Sequence, residues 1–366
     1  MERVKLKDIC RLINGRAYKQ EELLDSGKYP VLRVGNFFSD KDFYYSDLEL
    51  EEDKYCDNGD LLFAWSASFG PKIWDGEKVI YHYHIWKMEL TDRVNKEFLF
   101  YYLFHLSERI KSEGHGGIMI HTTKSEMEER EFNLPTHEEQ IAISEILNKV
   151  KSVIDKRKEE LSALDDLIKA RFVEMFGNGH DGFCNTKKLG EFCKFQQGTQ
   201  IPVEEQIEEQ LESYTRFLRI IDYTQAPQIP RYVSVKGREI AEDSVVIVRY
   251  GATAGFVGHG YAGILANNLF EVVPDESILS KDFLYLALKY GTFEQEVHDK
   301  AFGAAMPALS FGMMNDIGVV TPNSTVQNGF VDFVKQVDKS KFKEKSCYIK
   351  YKILKIGHRQ IYLLRK

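Results

Sequence analysis

At 366 residues, with 43% hydrophobic and 29% charged side chains, the chain is too long for one ordinary core and predicts at least two domains. Its formal net charge of -7 excludes a uniformly basic nucleic-acid-binding body. The charge is uneven, because from Lys339 to Lys366 ten Lys or Arg meet one acid, Glu344, a surplus of nine that leaves the preceding residues at -16.

In chain order, the first recognisable stretch is KLKDICRLINGRAY from Lys5, followed by VLRVGNFF from Val31. GDLLFAWSASFG from Gly59 and KVIYHYHIWKMEL from Lys78 are short apolar runs bounded by Gly and Asp, which predicts strands and turns. EFLFYYLFHLSERIKSE from Glu97 carries a helical pattern, and the Gly-punctuated loop GGIMIHTTK spans Gly116 to Lys124.

A charged segment without Gly or Pro follows, HEEQIAISEILNKVKSVIDKRKEELSALDDLIKARFVEMF from His137. Ile143, Leu147, Val150, Ile154, Leu161, Leu164, Ile168 and Met175 fall on a three-four spacing, with Arg157 and Arg171 in the same register. That period predicts a coiled-coil seam, while a core helix of a helical domain is the plainer alternative. The two arginines would snorkel from the seam or pair with acids of a second helix. Pro135, Thr136 and Glu139 form a capping-box start, and Gly177 and Gly179 close the far end. About 40 residues at 1.5 Å each make a rod of roughly 60 Å, which needs a partner helix from this chain or another subunit.

Beyond the rod the chain repeats itself. KLGEFCKFQQGTQI from Lys188 matches the stretch at Lys5, pairing Leu6 with Leu189, Cys10 with Cys193 and Gly15 with Gly198. FLRIIDYT from Phe217 matches VLRVGNFF, pairing Leu32 with Leu218 and Arg33 with Arg219. DSVVIVRYGATAG from Asp243 and ILANNLFEVVP from Ile264 read as strands, and DFLYLALKYGTFEQEVH from Asp282 as a helix. TPNSTVQNGFVDFVKQV from Thr321 matches LPTHEEQIAISEILNKV, pairing Pro135 with Pro322, Gln140 with Gln327 and Val150 with Val337. The offset stays between about 183 and 187, which identifies a tandem duplication of an α+β globule followed by a helix. The divisions expected are a first domain over 1–134, a helical spacer over 135–177, a second domain over 178–321 and a second helix with a basic tail over 322–366.

Motif by motif, catalysis finds no foothold. There is no phosphate loop, HExxH, nucleophile elbow or adenine-methyltransferase tetrapeptide, and no GxGxxG that follows a predicted strand and opens a helix. His82 and His84 share a strand face, but two imidazoles without a third ligand read as packed or surface residues, and no metal is expected. The five cysteines contain no CxxC pair, which predicts buried or idle thiols. No run of about 18 apolar residues and no secretory signal occurs, so a cytoplasmic protein without a membrane partner is expected.

Binding is the better reading. Candidate DNA-contacting residues in the first globule are Arg33, Asn36, Trp65, Ser66, Ser68, Lys72, His121, Thr122 and Lys124; in the second they are Arg219, Asp222, Tyr223, Arg249, Tyr250, Thr253, Asn267 and Asn268. Arg suits guanine, Asn suits adenine, and Ser, Thr and Lys commonly hold phosphates. Arg33 and Arg219 could equally be structural ion-pair partners, and Trp65 a packing residue. The loop at Gly116 and its counterpart GAAMPALS, Gly303 to Ser310, precede the last strand of each globule, where binding concentrates.

The duplicated order, and above all LPTHEEQIAISEILNKVKSVIDKRKEELSALDDLIKARFVEMFG, resembles the specificity subunit of type I restriction-modification systems over nearly the whole chain. The resemblance implies two target-recognition domains joined by long helices that form an antiparallel coiled coil. Each domain would read one half of an asymmetric, bipartite site in double-stranded DNA, with the rod setting the gap. Two modification subunits would dock on the helices and methylate adenine with S-adenosylmethionine, while restriction subunits would add ATP- and Mg2+-dependent translocation and cleavage. This chain would itself be non-catalytic and hold no cofactor. Gln140, Ile143, Leu147, Val150, Ile154, Leu161, Leu164, Ile168 and Met175, with Gln327, Phe330, Val334 and Val337, would form the helix and subunit interface. The alternatives are the recognition subunit of a combined restriction-methylation enzyme, or a silent cassette acting only as an interaction protein. One departure is expected to matter: after Lys339 the three-four spacing stops and acids nearly vanish, which would shorten the coiled coil and weaken one docking site.

Overall fold

The structure is a computed structural model that describes residues 2–39, 41–66, 69–113, 122–177, 184–225, 228–301 and 308–341. The chain divides into two units, residues 1–154 and 155–366, and the division falls inside the long central helix.

In the first unit, β1 (Glu2–Lys5), β2 (Cys10–Asn14), β3 (Tyr29–Leu32), β4 (Tyr44–Ser46), β5 (Tyr55–Cys56), β6 (Leu61–Ala64), β7 (Gly70–Ile73), β8 (Val79–Tyr81), β9 (Ile85–Leu90) and β10 (Glu131–Leu134) form three sheets. β1 pairs with β10, and the two four-stranded sheets run β2-β9-β6-β7 and β4-β3-β8-β5. A short helix α1 (Val34–Phe38) follows β3, α2 (Lys96–Glu113) follows β9, and α3 (Lys124–Glu128) leads into β10. The fully buried runs Leu61–Ala64 and Val79–Tyr81 explain why these strands are central: both faces meet core.

Then α4 (His137–Phe176) carries the chain into the second unit. There β11 (Thr186–Lys188), β12 (Cys193–Gln197), β13 (Thr215–Leu218), β14 (Arg231–Val233), β15 (Glu239–Ile240), β16 (Val245–Val248), β17 (Val257–Gly258), β18 (Gly263–Leu265), β19 (Leu269–Pro274) and β20 (Gly318–Val320) repeat the plan. β11 pairs with β20, and the larger sheets run β12-β19-β16-β17 and β14-β13-β18-β15. Even the parallel strand pairing recurs, β3 with β8 and β13 with β18. Its helices are α5 (Leu189–Phe192), α6 (Ile220–Thr224), α7 (Lys281–Tyr290), α8 (Phe293–Ala301), α9 (Phe311–Asn315) and α10 (324–341). The fold is therefore α+β, with the duplication inferred from the sequence realised strand for strand. Gly15 and Gly198 show why their pairing persists: a Cβ would stand 2.3 Å from the Tyr81 carbonyl oxygen in one copy and 2.1 Å from that of Ala266 in the other.

The motif that opens each long helix works as a clasp. Thr136 Oγ1 accepts from the Glu139 amide at 3.3 Å and Glu139 Oε2 accepts from the Thr136 amide at 2.9 Å, the capping box read from the sequence. Gln140 is buried and bonds inward: Oε1 accepts from the Asn95 amide at 2.7 Å, and Nε2 donates to the carbonyls of Pro135 and Arg93 at 2.9 and 3.1 Å. Gln327 repeats this with Ser280, Pro322 and Ile278 at 3.0, 2.8 and 2.9 Å. These two glutamines, expected at the helix interface, spend their amides tying each long helix to the start of α2 or α7 in its own globule.

At its far end α4 packs antiparallel to α10, since Phe330 lies against Phe172 and Phe176 while Lys341 meets Asp165 at 2.6 Å. The buried face here is Ile168, Phe172 and Phe176, a four-residue spacing, and Met175 is half-buried. The seam expected through Arg171 and Met175 thus turns by a residue, leaving Arg171 exposed and paired with Glu174 at 2.7 Å. Ile143 packs against the first unit's core, and Leu147, Val150, Ile154, Leu161 and Leu164 are half-buried. Phe330, Val334 and Val337 are buried on α10. Gly177, at φ +73°, closes α4 with its amide on the Val173 carbonyl at 2.8 Å. Gly179 and the tail after Lys341 lie outside the described residues.

Candidate nucleic-acid interface

Three segments meet at one end of the β2-β9-β6-β7 sheet: the exit of β6, the β8–β9 turn, and the chain before α3. The Trp65 amide donates to the His84 carbonyl at 3.1 Å, and the Thr122 amide to the Trp65 carbonyl at 3.4 Å. In the second copy the Arg249 amide donates to the Asn268 carbonyl at 2.9 Å, and the Leu309 amide to the Arg249 carbonyl at 2.9 Å. This register makes Trp65 equivalent to Arg249, His84 to Asn268 and Thr122 to Leu309. Identical backbone bonding therefore carries unlike side chains.

In the first copy the junction is aromatic. Trp65 stacks on Trp86 with centroids 5.8 Å apart and donates Nε1 to the Tyr83 carbonyl at 2.8 Å, so its one polar group is spent. His82 and His84 lie 4.8 Å apart beside Tyr83, which is 37% exposed. Burial, with smaller contributions from His84 and Arg33, pushes His82 down to about 4, and burial lowers His84, so both imidazoles are neutral at pH 7. The run IYHYHIW is the sequence signal for these histidines and Tyr83, which lie outside the contacts expected from the sequence. Ser66 and Thr122 are buried, and Lys72 lies over the Trp74 ring and 3.5 Å from Asp75. Lys124 is exposed and paired with Glu128 at 3.6 Å. Ser68 and His121 lie outside the described residues, as does most of each Gly-rich loop.

Arg33 and Arg219 occupy the N-terminus of the short helix after β3 or β13, where the residue before each, Leu32 or Leu218, accepts from the amide of His82 or Ala266 at 2.9 and 3.0 Å. Asn36 accepts from the Arg33 amide at 3.2 Å and donates to the carbonyls of Lys41 and Asp42, both at 2.7 Å, which holds the next loop. The Arg33 guanidinium lies 5.2 Å over the Tyr44 ring and is exposed. Arg219 differs: Nε and Nη2 donate to the buried Asp222 carboxylate at 3.0 and 3.4 Å, and Nη2 also to the Ile229 carbonyl at 3.0 Å. Asp222 is shared with Arg216 at 3.8 Å. Arg219 and Asp222 are thus an internal ion pair, the structural alternative the sequence left open. Tyr223 packs on Tyr261, and burial raises its phenol.

Around the second junction, Tyr250 is 39% exposed and Phe256 41%, with Thr253 exposed between them. Asn267 donates to Gln200 at 3.4 Å, and Asn268 Oδ1 is buried with no hydrogen-bond partner among the described residues. Among the described residues no group of three His, Cys, Asp or Glu side chains could hold a metal ion, and no helix is long and apolar enough to cross a membrane.

With this geometry in view, comparison with known proteins is direct. The profile of the type I restriction modification DNA specificity domain matches residues 1–164 and again residues 184–347, once per copy. The MjaVIII type I restriction enzyme specificity subunit of Methanocaldococcus jannaschii is 21% identical over 97% of this chain and 91% of its own length. The EcoBI specificity subunit of Escherichia coli is 21% identical over 46% of this chain, a match spanning only 36% of that relative. Among solved structures, the type I restriction-modification S subunit from M. genitalium superposes with TM-score 0.54 at 19% identity, over 97% of this chain and 94% of that one. A chain from a study of type I R-M complex assembly and conformational transition gives 0.53 at 17%, over 96% and 95%. These likenesses share the fold, and the doubled profile covers both halves of the sequence: the chain belongs to the type I restriction-modification DNA specificity family.

Proposed function

We propose that this chain is a non-catalytic recognition subunit in which each globule reads one half of an asymmetric, bipartite site in double-stranded DNA. The helices α4 and α10 carry two modification subunits, and restriction subunits join that complex. S-adenosylmethionine, ATP and Mg2+ then belong to those partners, and the complex works in the cytoplasm. The observation that carries this reading is the pair of equivalent loop junctions, with the same hydrogen-bond register but Trp65 and His84 in one and Arg249 and Asn268 in the other. A duplicated frame with unlike chemistry at matched positions suits a reader of two different short sequences. The acidic average is compatible with this, because partner subunits can supply phosphate-neutralising charge. Footprinting the chain with its modification partner on a target-bearing duplex tests it. Two protected blocks, each lost when one globule's loops are replaced, are expected; a single block, or protection indifferent to either replacement, overturns it.

A further inference from the structure

Arg249 stands apart from the other arginines of its unit. Among the described residues Arg157, Arg171, Arg216, Arg219, Arg231 and Arg238 each lie against a carboxylate. Among the described residues no carboxylate pairs with Arg249. Its guanidinium carbon instead sits 4.8 Å from the Tyr250 ring centroid and 5.5 Å from that of Phe311, and Nε donates to the Leu309 carbonyl at 3.3 Å. The backbone beneath is held by the Asn268 carbonyl and the Leu309 amide, and Tyr250 forms an antiparallel bridge with Ala308.

Each of these contacts removes a freedom that an arginine ordinarily loses on binding. With Nε committed, the terminal nitrogens, which have no hydrogen-bond partner among the described residues, remain as a planar fork beside two aromatic rings. A fork held at one angle fits a planar pair of acceptors, which guanine presents in the major groove as O6 and N7. Phosphate oxygens accept from many directions and gain less from such orientation.

We infer that Arg249 reads a guanine in the half-site bound by the second globule; this rests on the reading that each globule reads a half-site. The first globule holds Trp65 at the equivalent position, with its indole N–H spent on Tyr83, so no guanidinium reads the matching place in the other half-site.

The test uses the chain assembled with its modification partner. Genomic methylation by the wild type should give a split motif containing a guanine in one half, and Arg249→Gln and Arg249→Lys should relax that one position while leaving the other half-site intact. In binding assays on the wild-type complex, replacing that guanine by 7-deazaguanine, which lacks the N7 acceptor, should weaken binding about 5- to 100-fold. The same replacement should cost the Arg249→Gln complex little. A motif unchanged in both variants, or methylation reduced evenly with every base still required, assigns Arg249 to packing or phosphate and overturns the inference alone. A wild-type complex with no split motif overturns the functional reading as well. The 7-deazaguanine arm needs no variant for its first readout, so a folding defect in Arg249→Gln does not blunt it.

Discussion

Replacing Gln140 by Met keeps the length and volume of a side chain that is 1% exposed while deleting its three hydrogen bonds, to Asn95, Arg93 and Pro135. At about 1 kcal/mol net for each bond, the loss is about 3 kcal/mol, with most of the cost falling on the Asn95 amide and the two carbonyls left unmatched. The three tryptophans of the chain, Trp65, Trp74 and Trp86, all lie in the first unit, so tryptophan fluorescence follows that unit alone. For a urea slope of about 2 kcal/mol per molar, the fluorescence midpoint should fall by about 1.5 M. Gln327→Met deletes the equivalent bonds in the second unit and should shift a transition seen by far-ultraviolet circular dichroism. A fluorescence midpoint within about 0.5 M of the parent for Gln140→Met would refute the view that this glutamine clasps the long helix to its globule.

Phe330→Ala removes a ring that meets Phe172, Phe176 and Phe283, and should cost the second unit about 3 to 5 kcal/mol, measured by hydrogen exchange at the end of α4. Asp222→Ala strips the carboxylate from two arginines and from the Arg219 amide, and should cost about 3 kcal/mol in thermal unfolding followed by circular dichroism; a loss below about 1 kcal/mol would mark the pair as dispensable. His82 sits near 4, below its ordinary 6.5, so the unfolded chain takes up the proton first. Its contribution is complete above about pH 6.5 and declines as pH falls towards 4, by about 3 kcal/mol, and His82→Gln should flatten that slope in fluorescence-detected urea titrations from pH 7 to 4.

How far the molecule is legible in its sequence follows from what each signal depends on. The duplication is visible because its matched positions answer backbone demands: Gly15 and Gly198 pass a carbonyl too closely for a side chain, and Gln140 and Gln327 satisfy backbone groups. The capping box at Thr136 and Glu139 is local, and local rules suffice for it. The seam is less legible, because periodicity alone favours a continuous three-four spacing through Arg171, whereas the rings of Phe283 and Phe330 select Phe172 and Phe176. Ranking candidate arginines needs the acids around them. Arg219 had Asp222 three residues on, a signal within reach of the sequence, while the aromatic clamp at Arg249 draws on Phe311, far along the chain. His84 and Tyr83 join the site through strand register, which a run of alternating aromatics does not reveal by itself.

The most direct measurement is to express this chain with its modification subunit in a host without background methylation and sequence the genomic DNA for modified adenine. Two short, different half-sites separated by a fixed unspecified gap and modified on both strands are the predicted result. A continuous motif, a symmetric pair of identical halves, or no modification from a soluble, assembled pair would contradict the account of two unlike readers on one duplicated frame.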